Sequence, residues 1–378
     1  MIEKDPKNRQ LTIVVGAGST YSDAYDLNLP IDERPPLDRG FFNNITKSQD
    51  RERVDRINEY FKENYGFDIL DEENDAIENA MRYIYVDLFN LSLKEKAENA
   101  YNDLLFLYNK RIAETTNHLG TIKQLNLYKI LDQFLSDGYL PEKITFVTYN
   151  HDLQIEKILE ELNQTEHFQR YSTLDVFPSY YLININKSAI TKPKDPNNRI
   201  KIFKVNFSDL PTIKILKMHG SLNWYSFHKG DRITHKSLAD SDRRIWLTQR
   251  KEISLDMKVS EQIANNSPFM FPIIVPPVIH KSEIFHDDIK MLWKHAETAL
   301  QTCNDLVIFG YSCSALDFES SNLFKRACRK NSALENITII DPSSEVLKRY
   351  VDLLKPRRLS YYTSAKNFIE NVISDRLR

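Results

Sequence analysis

Three cysteines in 378 residues, Cys303, Cys313 and Cys328, are too few and too clustered to form a framework. None belongs to a C-x-x-C pair, so neither a structural zinc site nor a disulfide scaffold is expected, and a reducing compartment is. Charge of one sign is also lacking. With 51 basic against 53 acidic residues the net charge is -2, which gives no electrostatic basis for direct nucleic-acid binding. The only compact basic cluster, Lys355-Pro356-Arg357-Arg358, reads as a solvated helix end. No apolar run approaches membrane-spanning length, and Met1 to Gln10 is charged rather than apolar, so a soluble, cytoplasmic chain with no membrane partner is expected. Internal repeats and low-complexity tracts are missing as well.

What is present is a succession of apolar runs that end in small or polar residues. The length suits about two to three domains, or one α/β domain with a large insertion. Leu11 to Val15 is a β-branched run that feeds Gly16-Ala17-Gly18-Ser19, a glycine-rich turn able to bring backbone N–H groups to a diphosphate at a helix start. Tyr21 stands where a third glycine would complete the dinucleotide fingerprint. From Ser22 to Phe42 the chain is polar and carries Pro30, Pro35 and Pro36. That is too long for an ordinary strand-to-helix turn, so it reads as a functional loop over a site or as a surface insertion. Residues 43–140 change to helical periodicity, with Met81, Ile84, Tyr85, Leu88 and Phe89 on one stripe and Leu125, Leu127, Ile130, Leu131 and Phe134 on another. They are expected as a helical module inserted in the α/β domain.

The sheet resumes at Ile144 to Thr148, followed by Tyr149-Asn150-His151-Asp152-Leu153 and a helix to about Leu162. Asn150 donates and accepts at once, which suits placing a sugar hydroxyl or a water. Asp152 can cap the helix and anchor the loop, and plain helix capping by both residues is the alternative. Residues 183–200 and 225–268 read as variable excursions. Between them the strand Ile213 to Met218 delivers His219 at its carboxyl end, before a Gly220-Ser221 turn. That edge of an open α/β sheet is where ligands bind, and a histidine there can exchange a proton near neutral pH. A turn histidine satisfied by backbone groups is the competing reading. Ile273 to Pro277 ends a further strand with Lys281 just beyond, and Ile284 to Leu300 is a helix. Asp305 to Phe309 then runs into Gly310-Tyr311-Ser312-Cys313-Ser314-Ala315-Leu316-Asp317, a second strand–glycine–serine turn with the same phosphate logic. Asn336 to Ile340 ends in Asp341-Pro342, where the acid can hold a ribose hydroxyl or cap a helix. The pattern predicts an α/β fold, a Rossmann-like, mostly parallel sheet with an inserted helical module, as a single domain over residues 1–378.

Taken in order, Gly16-Ala17-Gly18-Ser19, Thr148-Tyr149-Asn150-His151-Asp152, His219-Gly220-Ser221 and Gly310-Tyr311-Ser312 resemble the sirtuin family over about residues 11 to 342. Thr148, Asn150 and Asp152 match its Thr-x-Asn-x-Asp motif, His219 and Gly220 its catalytic histidine before glycine, and Gly310 and Ser312 its Gly-Thr-Ser. Lys217 to Trp224 and Gly310-Tyr311-Ser312 with Asp317 look closest to the divergent bacterial sirtuin-like proteins of anti-phage defence, which are NAD-hydrolysing effectors. The resemblance implies NAD as substrate, no metal, and Asn150, His219 and Asp152 as catalytic residues. It places NAD against Gly16, Ala17, Gly18, Ser19, Thr148, Gly310, Ser312, Asp317 and Asp341. It also implies a homo-oligomer and a HerA-type hexameric ATPase, a DNA translocase, as partner. The four-cysteine zinc ribbon of the deacylases has no counterpart, since no cysteine precedes Cys303. Nor is their arginine-bearing loop recognisable, Leu29-Pro30 and Asp38-Arg39 being candidates. Water is therefore expected as the acceptor. An NAD-dependent deacylase and a non-catalytic NAD or ADP-ribose sensor are the other readings.

Overall fold

A computed structural model of the chain describes residues 5–45, 48–117, 119–162, 185–188, 202–204, 213–228, 245–247, 269–274, 287–314, 317–356 and 358–376. Strand β1 (Leu11–Val15) is buried at every residue, as befits a strand covered on both faces, and passes through Gly16 into α1 (Ala17–Asp26). Helices α2 (Ser48–Tyr65), α3 (Ile77–Asp87), α4 (Lys94–Asn117) and α5 (Asn126–Ser136) precede β2 (Ile144–Thr148) and α6 (Gln154–Leu162). Next come β3 (Ile185–Ser188), β4 (Ile202–Lys204), β5 (Lys214–Lys217), β6 (Gly220–His228), β7 (Ile245–Leu247) and β8 (Phe269–Ile274). The chain continues with α7 (Asp287–Thr302), β9 (Asp305–Phe309), α8 (Phe318–Lys330), β10 (Asn336–Ile340), α9 (Ser344–Leu354), β11 (Leu359–Tyr362) and α10 (Ala365–Arg376).

Six strands form one parallel sheet in the order β11-β10-β9-β1-β2-β5, flanked by helices, which is the Rossmann-like α/β fold expected from the sequence. From β1 the order runs one way through β2 and β5, and from β9 the other way through β10 and β11. The direction of the strand order therefore reverses between β1 and β9, the topological switch point of such a sheet. Register brings five strand ends level: Ile340, Phe309, Val15, Thr148 and Lys217 stand side by side. The opposite edge is pinned by a buried, bidentate ion pair from Arg9 to Asp305, with Tyr139 donating to the same carboxylate at 2.7 Å. Paired this way, the two charges keep their hydrogen bonds on leaving water.

The helices between 43 and 140 divide between two cores. Phe41, Phe42, Phe61, Met81, Ile84 and Leu104 belong to a core built on α2, α3 and α4, whereas Leu127, Ile130 and Leu131 of α5 lie in the core of the sheet. Phe89, expected on the α3 stripe, is 57% exposed, because α3 ends at Asp87 and the helical phase ends with it. The long connection after β1 is also shorter than the sequence suggests, since α1 keeps Ser22 to Asp26 helical. Its far end is tied down: the Asp75 carboxylate accepts the N–H groups of Phe42 and Asn43, and Phe41 and Phe42 are buried.

A second sheet, β4-β3-β7-β6-β8, is antiparallel except for the β3–β7 pair. It begins where the parallel sheet ends. Only Met218 and His219 separate β5 from β6, so the turn lies on these two residues and the expected Gly220-Ser221 turn is corrected. Gly220 and Ser221 pair with Ile274 and Ile273 of β8, which extends the strand up to the turn, and Gly220 has a φ of +85°. A side chain rarely adopts that backbone, so the glycine makes the change of direction possible. Strand residues Ile273 and Ile274 thus belong to the second sheet, while Val275 to Pro277 and Lys281 lie outside the described residues. Of the expected excursions, β3 falls within 183–200 and β7 within 225–268.

Candidate functional site

Because the strands are parallel and their ends level, the residue after each strand joins a single row: Asp341, Gly310, Gly16, Tyr149 and Met218, with Asn150 and His219 one step beyond. At its centre the β1 and β9 turns touch. The Gly18 N–H donates to the Gly310 carbonyl at 2.9 Å, and a Cβ on Gly310, whose φ is +61°, would meet the Ser19 nitrogen at 2.1 Å. A Cβ on Gly16 would meet the Cα and Cβ of Tyr311 at 2.6 and 2.7 Å. Without side chains at these positions, Tyr311 from β9 and Tyr149 from β2 reach over β1 and stack, with centroids 3.8 Å apart and planes at 4°. Gly16, Gly18 and Gly310, expected to cradle a diphosphate, also allow this close backbone packing. The Ser19 N–H and hydroxyl both turn back to the Gly16 carbonyl, at 2.9 and 2.8 Å, while Ala17 stands exposed at the first turn of α1.

Asn150 is 8% exposed and its amide nitrogen donates to the hydroxyls of Thr20 at 3.1 Å and Ser19 at 3.4 Å. Its Oδ1 is buried with no protein partner. A buried acceptor without a donor costs about 1–3 kcal/mol, so this atom is suited to a hydroxyl or water brought by a ligand. The backbone N–H of Asn150 is held by the Thr148 hydroxyl at 3.1 Å, which ties the loop to the strand end. Asp152 accepts from the Thr20 hydroxyl at 2.8 Å and from the Gln154 N–H at 3.0 Å, so it joins α1 to the first turn of α6.

On the other side of Tyr149 stands His219, 8% exposed, with the tyrosine ring edge-on at 5.1 Å and the His151 ring at 6.2 Å. Its Nε2 lies 3.7 Å from Oδ2 of Asp317. That separation exceeds a hydrogen bond but gives any positive charge formed on the ring a Coulombic partner. Asp317 is itself fixed: Oδ2 accepts from the Tyr311 hydroxyl at 2.8 Å, and Oδ1 caps α8 by accepting the Ser320 N–H at 3.4 Å. Expected as a cofactor contact, Asp317 therefore faces the histidine.

Asp341 follows β10, across β9 and β1 from the Asn150 loop, and accepts the Ser343 N–H at 2.9 Å in a turn just before α9; the N-cap position is Ser343, so the helix-capping alternative for Asp341 is not what forms. Burial pushes its carboxyl above the usual range. Ser312 is exposed, and its carbonyl accepts from Arg349 at 2.6 Å. Burial also pushes the Cys313 thiol up to about 11 and those of Cys303 and Cys328 up to about 12, so none is a ready thiolate nucleophile near neutral pH.

Sequence reasoning missed the residues behind this row. Lys217, the last residue of β5, is 1% exposed; its ammonium pairs with Glu156 of α6 at 2.9 Å and donates to the carbonyl of Asp152. A lysine inside an apolar strand run was the one available signal. Thr20, Tyr149 and Tyr311 gave no signal beyond their places beside expected residues.

No protein-family model and no curated protein matches the chain. Among solved structures it is similar to a complex of Sir2 with a p53 peptide and NAD+, at 10% identity and a TM-score of 0.41, covering 97% of this chain and 93% of that one. It is similar also to a structure described as the structural basis of sirtuin substrate affinity, at 9% identity and a TM-score of 0.41, covering 99% of both chains. A third, described as the structural basis for the mechanism and regulation of Sir2 enzymes, matches at 9% identity and a TM-score of 0.38 over 99% of this chain and 96% of that one. At these scores the likeness carries no weight for chemistry; fold and site stand on the sheet and side chains described above.

Proposed function

We propose that the chain is a sirtuin-like NAD+ hydrolase that cleaves the nicotinamide–ribose bond to give nicotinamide and ADP-ribose. The observation that carries this reading is the pairing, at one strand edge, of Asn150, whose Oδ1 is buried without a partner, with His219, backed by Asp317. These residues fit a ribosyl group better than they fit a diphosphate, because the Gly18 and Ser19 amides are already bonded within the turns. Asn150 Oδ1 accepts from the attacking water or a ribose hydroxyl and fixes its place, which lowers the entropy cost of the encounter. Water oxygen bonds to the anomeric carbon as the bond to nicotinamide breaks. His219 takes the proton lost by water or relayed through a ribose hydroxyl, and Asp317 stands beside the charge that forms. Thr20 and Asp152 hold the asparagine loop against α1. No cysteine precedes Cys303 to build a zinc ribbon beside an acyl-lysine channel, which favours water over a peptide as acceptor.

Chromatography of NAD incubated with the purified protein tests the reading. Free nicotinamide and ADP-ribose should appear without any acyl-peptide; a requirement for the peptide would mean deacylation, and binding without turnover a sensor. General-base help is typically about 10²- to 10⁴-fold, so His219→Ala should raise the barrier by roughly 3 to 5 kcal/mol. Asn150→Ala should also slow turnover strongly, and wild-type rates in either variant would sink the assignment. An NAD-depleting role in bacterial anti-phage defence, with control by homo-oligomer assembly or by a HerA-type ATPase, belongs to the same proposal. A fully active monomer in sedimentation, indifferent to any partner, would count against that control.

A further inference from the structure

Beside α1 a pocket of about 390 Å³ opens between the loop over residues 31–44 and the α2–α4 region. Among the described residues, none of Ser19, Asn150, His219 or Asp317 lines it, so it is separate from the strand-end row. Three arginines do: Arg34, Arg39 and Arg111. Arg111 reaches in from α4, and its guanidinium donates to the main-chain carbonyls of Ile31, Asp32 and Arg34. Desolvation pushes its pKa below the ordinary value, against the opposing pull of the Asp32, Glu114 and Asp50 carboxylates. Arg34 donates to the Leu29 carbonyl at 2.8 Å and to the Tyr21 hydroxyl at 3.2 Å, with its guanidinium 5.7 Å from the Tyr21 ring and 5.3 Å from that of Tyr25. Arg39 stands exposed at the rim, and no ion pair is formed by any of the three among the described residues.

The two carboxylates on the pocket wall do not balance them. Asp75 has both oxygens engaged by the N–H groups of Phe42 and Asn43, which leaves Glu72 as the only other acid among the described lining residues. Among the described lining residues three guanidinium groups stand against two carboxylates, with Pro35-Pro36 on one side and the bonded turn at Asp75 on the other. Planar forks in excess over carboxylates are the donor set for a phosphate group, and the side-chain amides of Asn43 and Asn44 beside them suit sugar hydroxyls. The volume is that of a small-molecule site. We infer that this pocket binds a small sugar phosphate, free or as part of a mononucleotide, independently of the NAD reading above.

Calorimetry on the full chain tests this, with ribose 5-phosphate, AMP and sodium sulfate titrated separately. Ribose 5-phosphate or AMP should bind one per chain and at least about tenfold more tightly than sulfate, which can use the guanidinium groups alone. Equal affinity for both names the sugar phosphate as the recognised unit; tighter AMP adds the base. Arg34→Gln/Arg39→Gln should weaken that binding at least about tenfold, and the rim substitution Arg39→Gln alone, which disturbs no internal bond, should weaken it several-fold. Binding should survive in His219→Ala protein and in saturating NAD. No heat with either sugar phosphate, sulfate bound as tightly, unchanged affinity in both arginine variants, or displacement by NAD would each overturn the inference. The outcome is independent of whether the protein hydrolyses NAD.

Discussion

His219 acquires its meaning from Asp317, a residue far along the chain that reaches the same edge because β9 and β5 belong to one sheet. Asp317→Asn keeps one acceptor oxygen, for either the Tyr311 hydroxyl or the Ser320 N–H, so it should cost about 1–3 kcal/mol of stability and leave the protein folded. Without the negative charge, NAD turnover should fall by about 10²-fold or more through kcat, with KM little changed. In a His219→Ala background the same substitution should add almost nothing, because Asp317 acts through the ring; independent, additive losses would reject the positioning role. The places of His219 and Asn150 just beyond two strand ends were legible in the sequence. The pairing was not, since nothing local to Gly310–Asp317 says which strand end it will face.

At the level of elements, the loop from Asn150 to Leu153 is stiffened by Lys217 at the end of β5 and Glu156 in α6, a pair that is 1% exposed on both sides. Removing one partner of such a pair leaves a buried charge, so Lys217→Met should destabilise by about 3–5 kcal/mol in chemical denaturation. Lys217→Met/Glu156→Leu should regain most of that stability. It should still hydrolyse NAD slowly, because the lysine's hydrogen bond to the Asp152 carbonyl is gone. Full activity in the stable double variant would show that the bond does not position the loop. The apolar strand runs were legible because parallel strands are covered on both faces. The β5–β6 junction was not: whether Gly220 turns or begins a strand depends on β8, whose pairing partner lies far away in sequence.

Across the whole molecule, the α/β core is joined to its surroundings by buried polar contacts whose protonation matters. Asp23 of α1 accepts the N–H of Asn126 at the start of α5 at 2.6 Å, and burial pushes its carboxyl up to about 7. The folded state therefore keeps a proton that an unfolded aspartate, at about 3.9, has lost. This contribution is fully present below about pH 4 and is lost as pH rises through about 7. Asp23→Asn keeps the acceptor and removes the titration. Relative to wild type the variant should therefore gain stability between pH 5 and 8, by up to about 4 kcal/mol. Melting temperatures measured for both proteins across that range check this, and parallel curves would rule it out.

The sequence by itself determined the parallel α/β class, the strand ends that carry Asn150, His219 and Gly310, and the helical character of residues 43–140. It could do so because buried runs, turn glycines and helical periodicity are local signals. Only the tertiary structure decided which of those residues stand beside one another. It showed that Gly16, Gly18 and Gly310 let two turns touch, that Tyr149 and Tyr311 stack over β1, and that Asp317 faces His219. Each of these relations joins positions distant in the chain, and strand order and register, which no local pattern encodes, bring them within contact distance.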